Sequence, residues 1–351
     1  MDVVKELDNR LETFLTETSS SGETAATAEM DEETRRKLMS LGYIGDAAAT
    51  GSEEPVARKL IQLMEKINLS ARLANEGLID KAIEGFQEVV KIDPKNTEAY
   101  INLAQCYAGL GKYDEAITHF EIAASFKPDN PEIINDIGTC YTEKMEFNKA
   151  LDQLNKAIEL DAEFTQAYYN RGLVHRKLGN WQHAIEDYNK AIELDAEFAK
   201  AYSNRGGIYE QSGNYQQAIE DYDRAIELDP KSAEVYYNRG VVYQRSGNHQ
   251  QAIKDYDSVI ELKPRFKPAY YNRGLAYEKS GDLRQAIRDY GSVTELAPRF
   301  ALAYEQLAKA YEKNEKYAEA IEAWTKVLEI DPQHHAAKAR LTRLSALGIH
   351  E

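Results

Sequence analysis

The sequence predicts an all-α fold in which helix pairs stack into a solenoid of eight copies of one unit. Three observations carry that expectation. Eight alanines (Ala82, Ala116, Ala150, Ala184, Ala218, Ala252, Ala286 and Ala320) stand at a constant interval of 34 residues. A strict period of that length marks a copied structural unit, not a single globular core. In step with the alanines, small and large side chains recur twice per unit at the 3.6-residue spacing of a buried helix face. Glycine and proline punctuate the frame between those two stretches and after the second.

Taking each alanine as position 20, the units tile residues 63–334 without insertion, as 63–96, 97–130, 131–164, 165–198, 199–232, 233–266, 267–300 and 301–334. The first helix is read from positions 4, 7–8 and 11, which share one face. Position 8 is always small (Ser70, Ala104, Gly138, Gly172, Gly206, Gly240, Gly274, Ala308), and position 11 is tyrosine in all units but those of Leu73 and His175. Glycine near position 15 (Gly77, Gly111, Gly179, Gly213, Gly247, Gly281) turns the chain. The second helix is read from positions 20, 24 and 27, with a large side chain at 24 that runs from Phe86 to Trp324. Small residues let helix axes approach, and the rings fill the space beside them. Position 32 is proline in six units and alanine at Ala162 and Ala196, which ends the second helix.

Two flanks lie outside the tiling. Residues 335–351 read as a capping helix and tail, with Ala337, Leu341, Leu344 and Leu347 on one face and Lys338, Arg340 and Arg343 opposite. Residues 1–62 carry 13 acids and 7 bases and read as an acidic segment of short helices and small-residue linkers, with Pro55 starting a helix that runs into the first unit.

In length, residue classes and spacing the units resemble the tetratricopeptide repeat (TPR). That resemblance implies a right-handed superhelix of eight helix pairs, with the first helix of each pair lining a concave groove. A second resemblance lies in Arg36 to Gly45 (Arg-Lys-Leu-Met-Ser-Leu-Gly-Tyr-Ile-Gly), preceded by acidic residues and followed by the repeats. It is similar to the C-terminal tail of bacterial sulfatase-like hydrolases, and implies a detached accessory tail that docks a catalytic domain. The nucleophile motif of that family, Cys-x-Pro-x-Arg, is missing from the sequence, since Cys106 and Cys140 each precede tyrosine.

Composition narrows the function. A net charge of −16 with no basic cluster argues against nucleic acid and anionic membranes as partners. With no 18-residue apolar run and no signal-peptide core, the chain reads as soluble and cytoplasmic, unless it belongs to a larger secreted precursor. The two cysteines fall at position 10 of adjacent units. Equivalent sites in stacked helices lie about 10 Å apart, too far for a disulfide, so both read as buried fillers. The seven histidines fall at unlike positions and build no metal-ligand set, and His334-His335 reads as a helix start. No P-loop, dinucleotide fingerprint or nucleophile elbow is present. The expectation is a non-catalytic interaction scaffold without a cofactor, of open oligomeric state, whose partner is a protein or extended peptide.

The candidate groove is read from position 6, which is Asn102, Asp136, Asn170, Asn204, Asn238, Asn272 and Gln306 from the second unit to the eighth. It resembles the asparagine ladder of O-GlcNAc transferase, which grips peptide backbone amides. A primary amide both donates and accepts, and so matches a peptide unit whatever its side chain. The alternative is that these amides bond only their own neighbourhood. Position 5 adds Tyr169, Tyr237 and Tyr271, position 9 adds Leu173, Val241 and Leu275, and positions 12 and 13 add a mixed rim that includes Arg176, Glu210, Gln244, Arg245 and Glu278. The tyrosines suit an extended peptide, or else pack between neighbouring first helices. A carboxylate clamp for chaperone C-terminal tails needs Lys, Asn, Lys and Arg where this chain has Ile67, Ala71, Glu132 and Asp136, or Tyr169, Leu173, Glu234 and Asn238, which argues against such tails as partners. Position 7 is arginine in units four to seven (Arg171, Arg205, Arg239, Arg273), and these same units have aspartate at position 23 (Asp187, Asp221, Asp255, Asp289). The match predicts an ion pair across each helix pair or to a neighbour. The other reading sends the arginine to a ligand carboxylate.

Overall fold

A computed structural model describes residues 54–346, and the described chain forms seventeen α-helices with no strand among them. The expectations for the segment before residue 54, including the 36–45 motif, lie outside the described residues. The chain divides into two compact units. The first, ending at Pro128, holds α1 (Glu54–Asn75), α2 (Ile79–Ile92), α3 (Thr97–Gly109) and α4 (Tyr113–Phe126). The second, beginning at Asp129, holds α5 (Pro131–Glu143), α6 (Phe147–Leu160), α7 (Thr165–Lys177), α8 (Trp181–Leu194), α9 (Ala199–Gln211), α10 (Tyr215–Leu228), α11 (Ala233–Arg245), α12 (His249–Leu262), α13 (Lys267–Lys279), α14 (Leu283–Leu296), α15 (Ala301–Lys313), α16 (Tyr317–Ile330) and α17 (His335–Ala346). Within each unit, every helix packs against the next in sequence, and neighbouring first helices such as α9, α11 and α13 also touch.

Local chemistry explains the boundaries. The six glycines at position 15 all have φ between 72° and 88°, a conformation that strains other residues. Each follows a first helix in a Schellman pattern: after α3, Lys112 N–H donates to Tyr107 O and Gly111 N–H to Ala108 O. Met145 and Glu315 take the same place with φ of 61° and 57°. At the other junction, position 31 is often aspartate, and its carboxylate accepts the N–H two residues on, as Asp195 does from Glu197 and Asp229 from Lys231. The helix then starts at position 34 without a capping side chain where that residue is phenylalanine (Phe164, Phe198, Phe266, Phe300). His334 caps α17 through Nδ1, which accepts Ala337 N–H at 3.2 Å.

The core repeats with the sequence. In the first unit Ile67, Phe86, Val89 and Leu103 gather around Ala82. In the second, Tyr188, Tyr222, Tyr256, Tyr290 and Trp324 at position 24 are fully buried beside the position-20 alanines. Position 8 is small because of those rings: a Cβ on Gly240 would sit 2.8 Å from Tyr256 Cε1, and one on Gly274 2.8 Å from Tyr290 Cε1. Cys106 and Cys140 are buried free thiols, and burial pushes the Cys140 thiol up to about 11.

The four arginines of position 7 pair within their own repeats, and also reach back. Arg239 donates from Nε and Nη2 to the two carboxylate oxygens of Asp255 at 2.9 and 2.6 Å, and from Nη1 to Asp223 of the preceding repeat. Arg171, Arg205 and Arg273 repeat the arrangement with Asp187 and Asn155, Asp221 and Asn189, and Asp289 and Asp257. The guanidinium also lies over the position-4 ring, 5.5 to 5.6 Å from Tyr168, Tyr202, Tyr236 and Tyr270. All three donor nitrogens are engaged, so the ligand-carboxylate reading gives way to an internal staple across three helices. Burial raises the carboxyl pKa of Asp221, Asp255 and Asp289 while the arginine opposes that shift.

Three outcomes are expected. Gly240→Ala forces a ring in a filled core and lowers stability by about 1–2 kcal/mol after the helix-propensity gain. Gly207→Ala, whose Cβ meets nothing closer than Tyr222 Oη at 3.7 Å, raises it by about 0.5–1 kcal/mol. Urea denaturation of the two variants checks the opposite signs. Arg239→Leu strands Asp255 as an uncompensated buried carboxylate, which costs about 3–5 kcal/mol at neutral pH. With its pKa raised further above the unfolded value, Asp255 binds a proton in the native state first, so the deficit shrinks as pH falls. Melting curves at pH 7 and pH 5 test this; a deficit that does not change with pH would contradict it.

Candidate functional site

Of the first-helix face read as a groove, the second unit carries all but Asn102. That residue lies on α3 of the first unit and donates its amide to Glu98 O at 2.9 Å, one turn back on its own helix. In the second unit the position-6 amides reach across to position 5 of the preceding repeat. Asn204 donates to Tyr169 Oη at 3.0 Å and to Lys200 O at 2.9 Å, while its carbonyl accepts from Arg176 at 2.7 Å. Asn272 donates to Tyr237 Oη at 3.0 Å, and Asn170 to Asn135 Oδ1 at 2.8 Å and Thr139 Oγ1 at 3.2 Å.

The tyrosines hold two jobs at once. Tyr169, Tyr237 and Tyr271 each lean on the position-24 ring of their repeat, with centroids 5.9 to 6.0 Å from Tyr188, Tyr256 and Tyr290. Each also meets a position-34 phenylalanine: Phe198 at 4.8 Å, Phe266 at 5.3 Å and Phe300 at 6.2 Å. Burial raises the pKa of all three phenols. Packing between helices therefore accounts for much of each ring, and Tyr169 is nearly closed off. Leu173, Val241 and Leu275 remain half-buried beside them.

Asn238 departs from this pattern. Its amide makes no side-chain hydrogen bond among the described residues, although it is half-buried on α11. The cause is legible one repeat earlier, where position 5 is Ser203 and position 9 is Gly207, so α9 offers no phenol to receive it. A free donor–acceptor pair thus stands beside a helix face stripped to small residues.

The expected rim at positions 12 and 13 is largely committed to holding the array together. Glu210 accepts from the buried Tyr222 hydroxyl at 3.2 Å and from Arg245 of the next repeat at 2.9 Å. Glu278 likewise joins Tyr290 to Lys313, and Glu312 joins Trp324 to Arg340 of the cap. Gln244 accepts from Tyr256 at 2.8 Å. Where position 12 is Arg176, the Tyr188 hydroxyl is buried with no partner among the described residues. Identical spacing of 12 residues in these pairs was the available sequence signal, but it becomes visible only once the ring at 24 is known to reach under position 12.

A cavity of about 580 Å³ opens at the N-terminal ends of the first helices in the sixth and seventh repeats. Tyr237, Tyr271 and Asn272 line it, together with Lys267, Pro268, Val293, Ala297, Pro298, Arg299 and Phe300, which sequence reasoning did not single out. The expected residues Asn170, Leu173, Asn204, Asn238, Val241 and Leu275 lie on the same series of helices but do not line this cavity.

The comparisons agree on the family. Tetratricopeptide repeat models match residues 73–133, 165–198, 233–266 and 271–335, and a TPR repeat model matches 138–179 and 206–247. Comparison with curated proteins finds no match. Among solved structures, the C-terminal part of a TPR repeat-containing protein from Cytophaga hutchinsonii is 24% identical over 69% of this chain and 99% of its own, with a TM-score of 0.59, which supports the fold. YrrB, described as a TPR protein with an unusual peptide-binding site, is 26% identical over 53% of this chain and 96% of its own, with a TM-score of 0.49. MamA protein is 30% identical over 49% and 94%, with a TM-score of 0.47. No described helix is long and apolar enough to cross a membrane. Matches spread over most of the described chain, two of them spanning the fourth and sixth units of the tiling, show that it belongs to the tetratricopeptide repeat family.

Proposed function

We propose that the chain is an interaction scaffold whose first-helix face, across residues 165–298, holds an extended peptide segment of a partner protein. The observation that carries this reading is Asn238. Neighbouring position-6 amides are spent on tyrosine hydroxyls, whereas this one keeps both a donor and an acceptor beside the small residues Ser203 and Gly207. A peptide backbone can approach there without meeting a ring, and an amide reads a peptide unit irrespective of its side chain. Tyr237 and Val241 on the same helix, and Tyr271 and Leu275 on the next repeat, supply half-buried apolar surface. The cations of a carboxylate clamp are absent from the matching positions, which directs the reading to an internal segment of the partner and away from a free C-terminus.

A displayed library of random 12-residue peptides, selected against the intact chain and titrated individually, tests the reading. Asn238→Ala should weaken the selected peptides about tenfold, the worth of one or two backbone hydrogen bonds, with the melting temperature unchanged. N-methylation of the contacted peptide bond should cost a similar factor, and the two losses should not add. Selected peptides that bind Asn238→Ala as tightly as the parent chain would sink the proposal, as would a library that yields no binder.

A further inference from the structure

Two positions that line the cavity in the seventh repeat carry residues found there in no other unit. Position 31 is aspartate in five units (Asp93, Asp161, Asp195, Asp229, Asp331) and lysine in two, but Ala297 here. Position 2 is glutamate in the second, third and sixth units, but Pro268 here. With alanine and proline at these places neither contributes a carboxylate, and Ala297 forms an apolar floor with buried Val293. The loss of the Asp side chain also removes the turn bond that its equivalents make, such as that of Asp229 to Lys231 N–H.

The walls follow the same trend. Phe300 stands 42% exposed, and its ring centroid is 6.2 Å from Tyr271, where Phe198 closes to 4.8 Å on Tyr169. The opened ring pair leaves room between Tyr271, Phe300 and Tyr237, and adjacent Leu302 is likewise 42% exposed. At the edge stand Lys267 and Arg299, both exposed, and neither makes an ion pair or side-chain hydrogen bond among the described residues. In a chain of net charge −16, two uncommitted cations beside an apolar cavity whose lining holds no carboxylate form a local field of the opposite sign.

From this geometry we infer that the cavity takes a bulky apolar side chain, phenylalanine or leucine in size, from a partner segment that carries acidic residues on either side of it. The inference rests on the peptide-binding reading above and names the sequence class of the ligand. A cavity of about 580 Å³ lies within the size range of pockets that take a compact, largely apolar group. Tyr237, Tyr271 and Phe300 offer ring surface to the apolar anchor. Asn272 keeps its carbonyl beside the cavity for a ligand N–H, because its amide nitrogen already donates to Tyr237. Lys267 and Arg299 meet the flanking carboxylates at the exposed edge, where such pairs set preference and association rate more than total affinity.

Fluorescence anisotropy with defined 12-residue probes on the intact chain tests it. One probe carries phenylalanine flanked by two glutamates on each side, a second has lysines in place of the glutamates, and a third has alanine in place of phenylalanine. The acid-flanked phenylalanine probe should bind at least about tenfold tighter than either of the others, and the advantage over the lysine probe should fall with added salt. The double charge reversal Lys267→Glu with Arg299→Glu, both on the surface, should invert the preference between the acidic and basic probes. Ala297→Asp should weaken the acidic probe while leaving the helical circular dichroism unchanged. Equal binding of the acidic and basic probes, no measurable binding of the acidic probe, or a charge reversal without effect overturns the inference. Library-selected peptides that depend on Asn238 yet ignore both the charge reversal and Ala297→Asp would overturn it while leaving the peptide-binding reading intact.

Discussion

Everything in the array is built on one contact: the side chain at position 24 lying flat against the backbone of the first helix, over a position 8 too small to push it away. In the repeats with Gly240 and Gly274, a single added carbon would fall 2.8 Å from the ring. Close approach of the axes follows, and with it the burial of the alanines at 20 and the second-helix residues at 27. The same ring then sets the next level of structure. Its polar end emerges beneath position 12, where Glu210, Glu278 or Glu312 takes it and passes the connection to a cation 28 or 35 residues further on. One buried side chain thereby joins a helix pair and hands it to its neighbour.

The arginine staples use charge for the same end. Arg205, Arg239 and Arg273 sit with little exposure between an aspartate of their own repeat and an acceptor of the one before. Burying such groups costs desolvation, so their contribution is to register more than to net stability. Geometry admits only one alignment of three helices in which a planar guanidinium makes two parallel bonds to one carboxylate and a third to another acceptor. These four repeats are also the most uniform in sequence, as identical staples demand identical surroundings.

Regularity and spare hydrogen-bonding capacity separate along this line. Where the pattern holds, side chains are consumed by the array: amides at position 6 satisfy tyrosines at position 5, and acids at position 12 satisfy rings at 24. Free chemical capacity collects where the pattern fails. Ser203 and Gly207 leave Asn238 without the phenol that Asn204 and Asn272 meet, while Ala297 and Pro268 line a cavity that holds no carboxylate. A stacked surface has no other way to be particular about what it binds, since identical units present identical groups.

The sequence by itself determined the helix pairs and the small-against-large packing. Those depend on local conformation and on which face is apolar, and a 34-residue period states both eight times over. It also matched the arginines of position 7 to the aspartates of position 23, because the two charges appear and vanish in the same four repeats, and it left open whether each pair forms within a repeat or to a neighbour. Only the tertiary structure decided which groups were left over. Arg239 reaching back to Asp223, Glu210 serving Tyr222 and Arg245 together, and Asn238 lacking the phenol given to Asn204 and Asn272 all depend on how far a side chain extends between repeats. The cavity at Ala297 arises from the same source: it is the space that remains after neighbouring side chains have packed, and a residue pattern records those side chains without recording the gap between them.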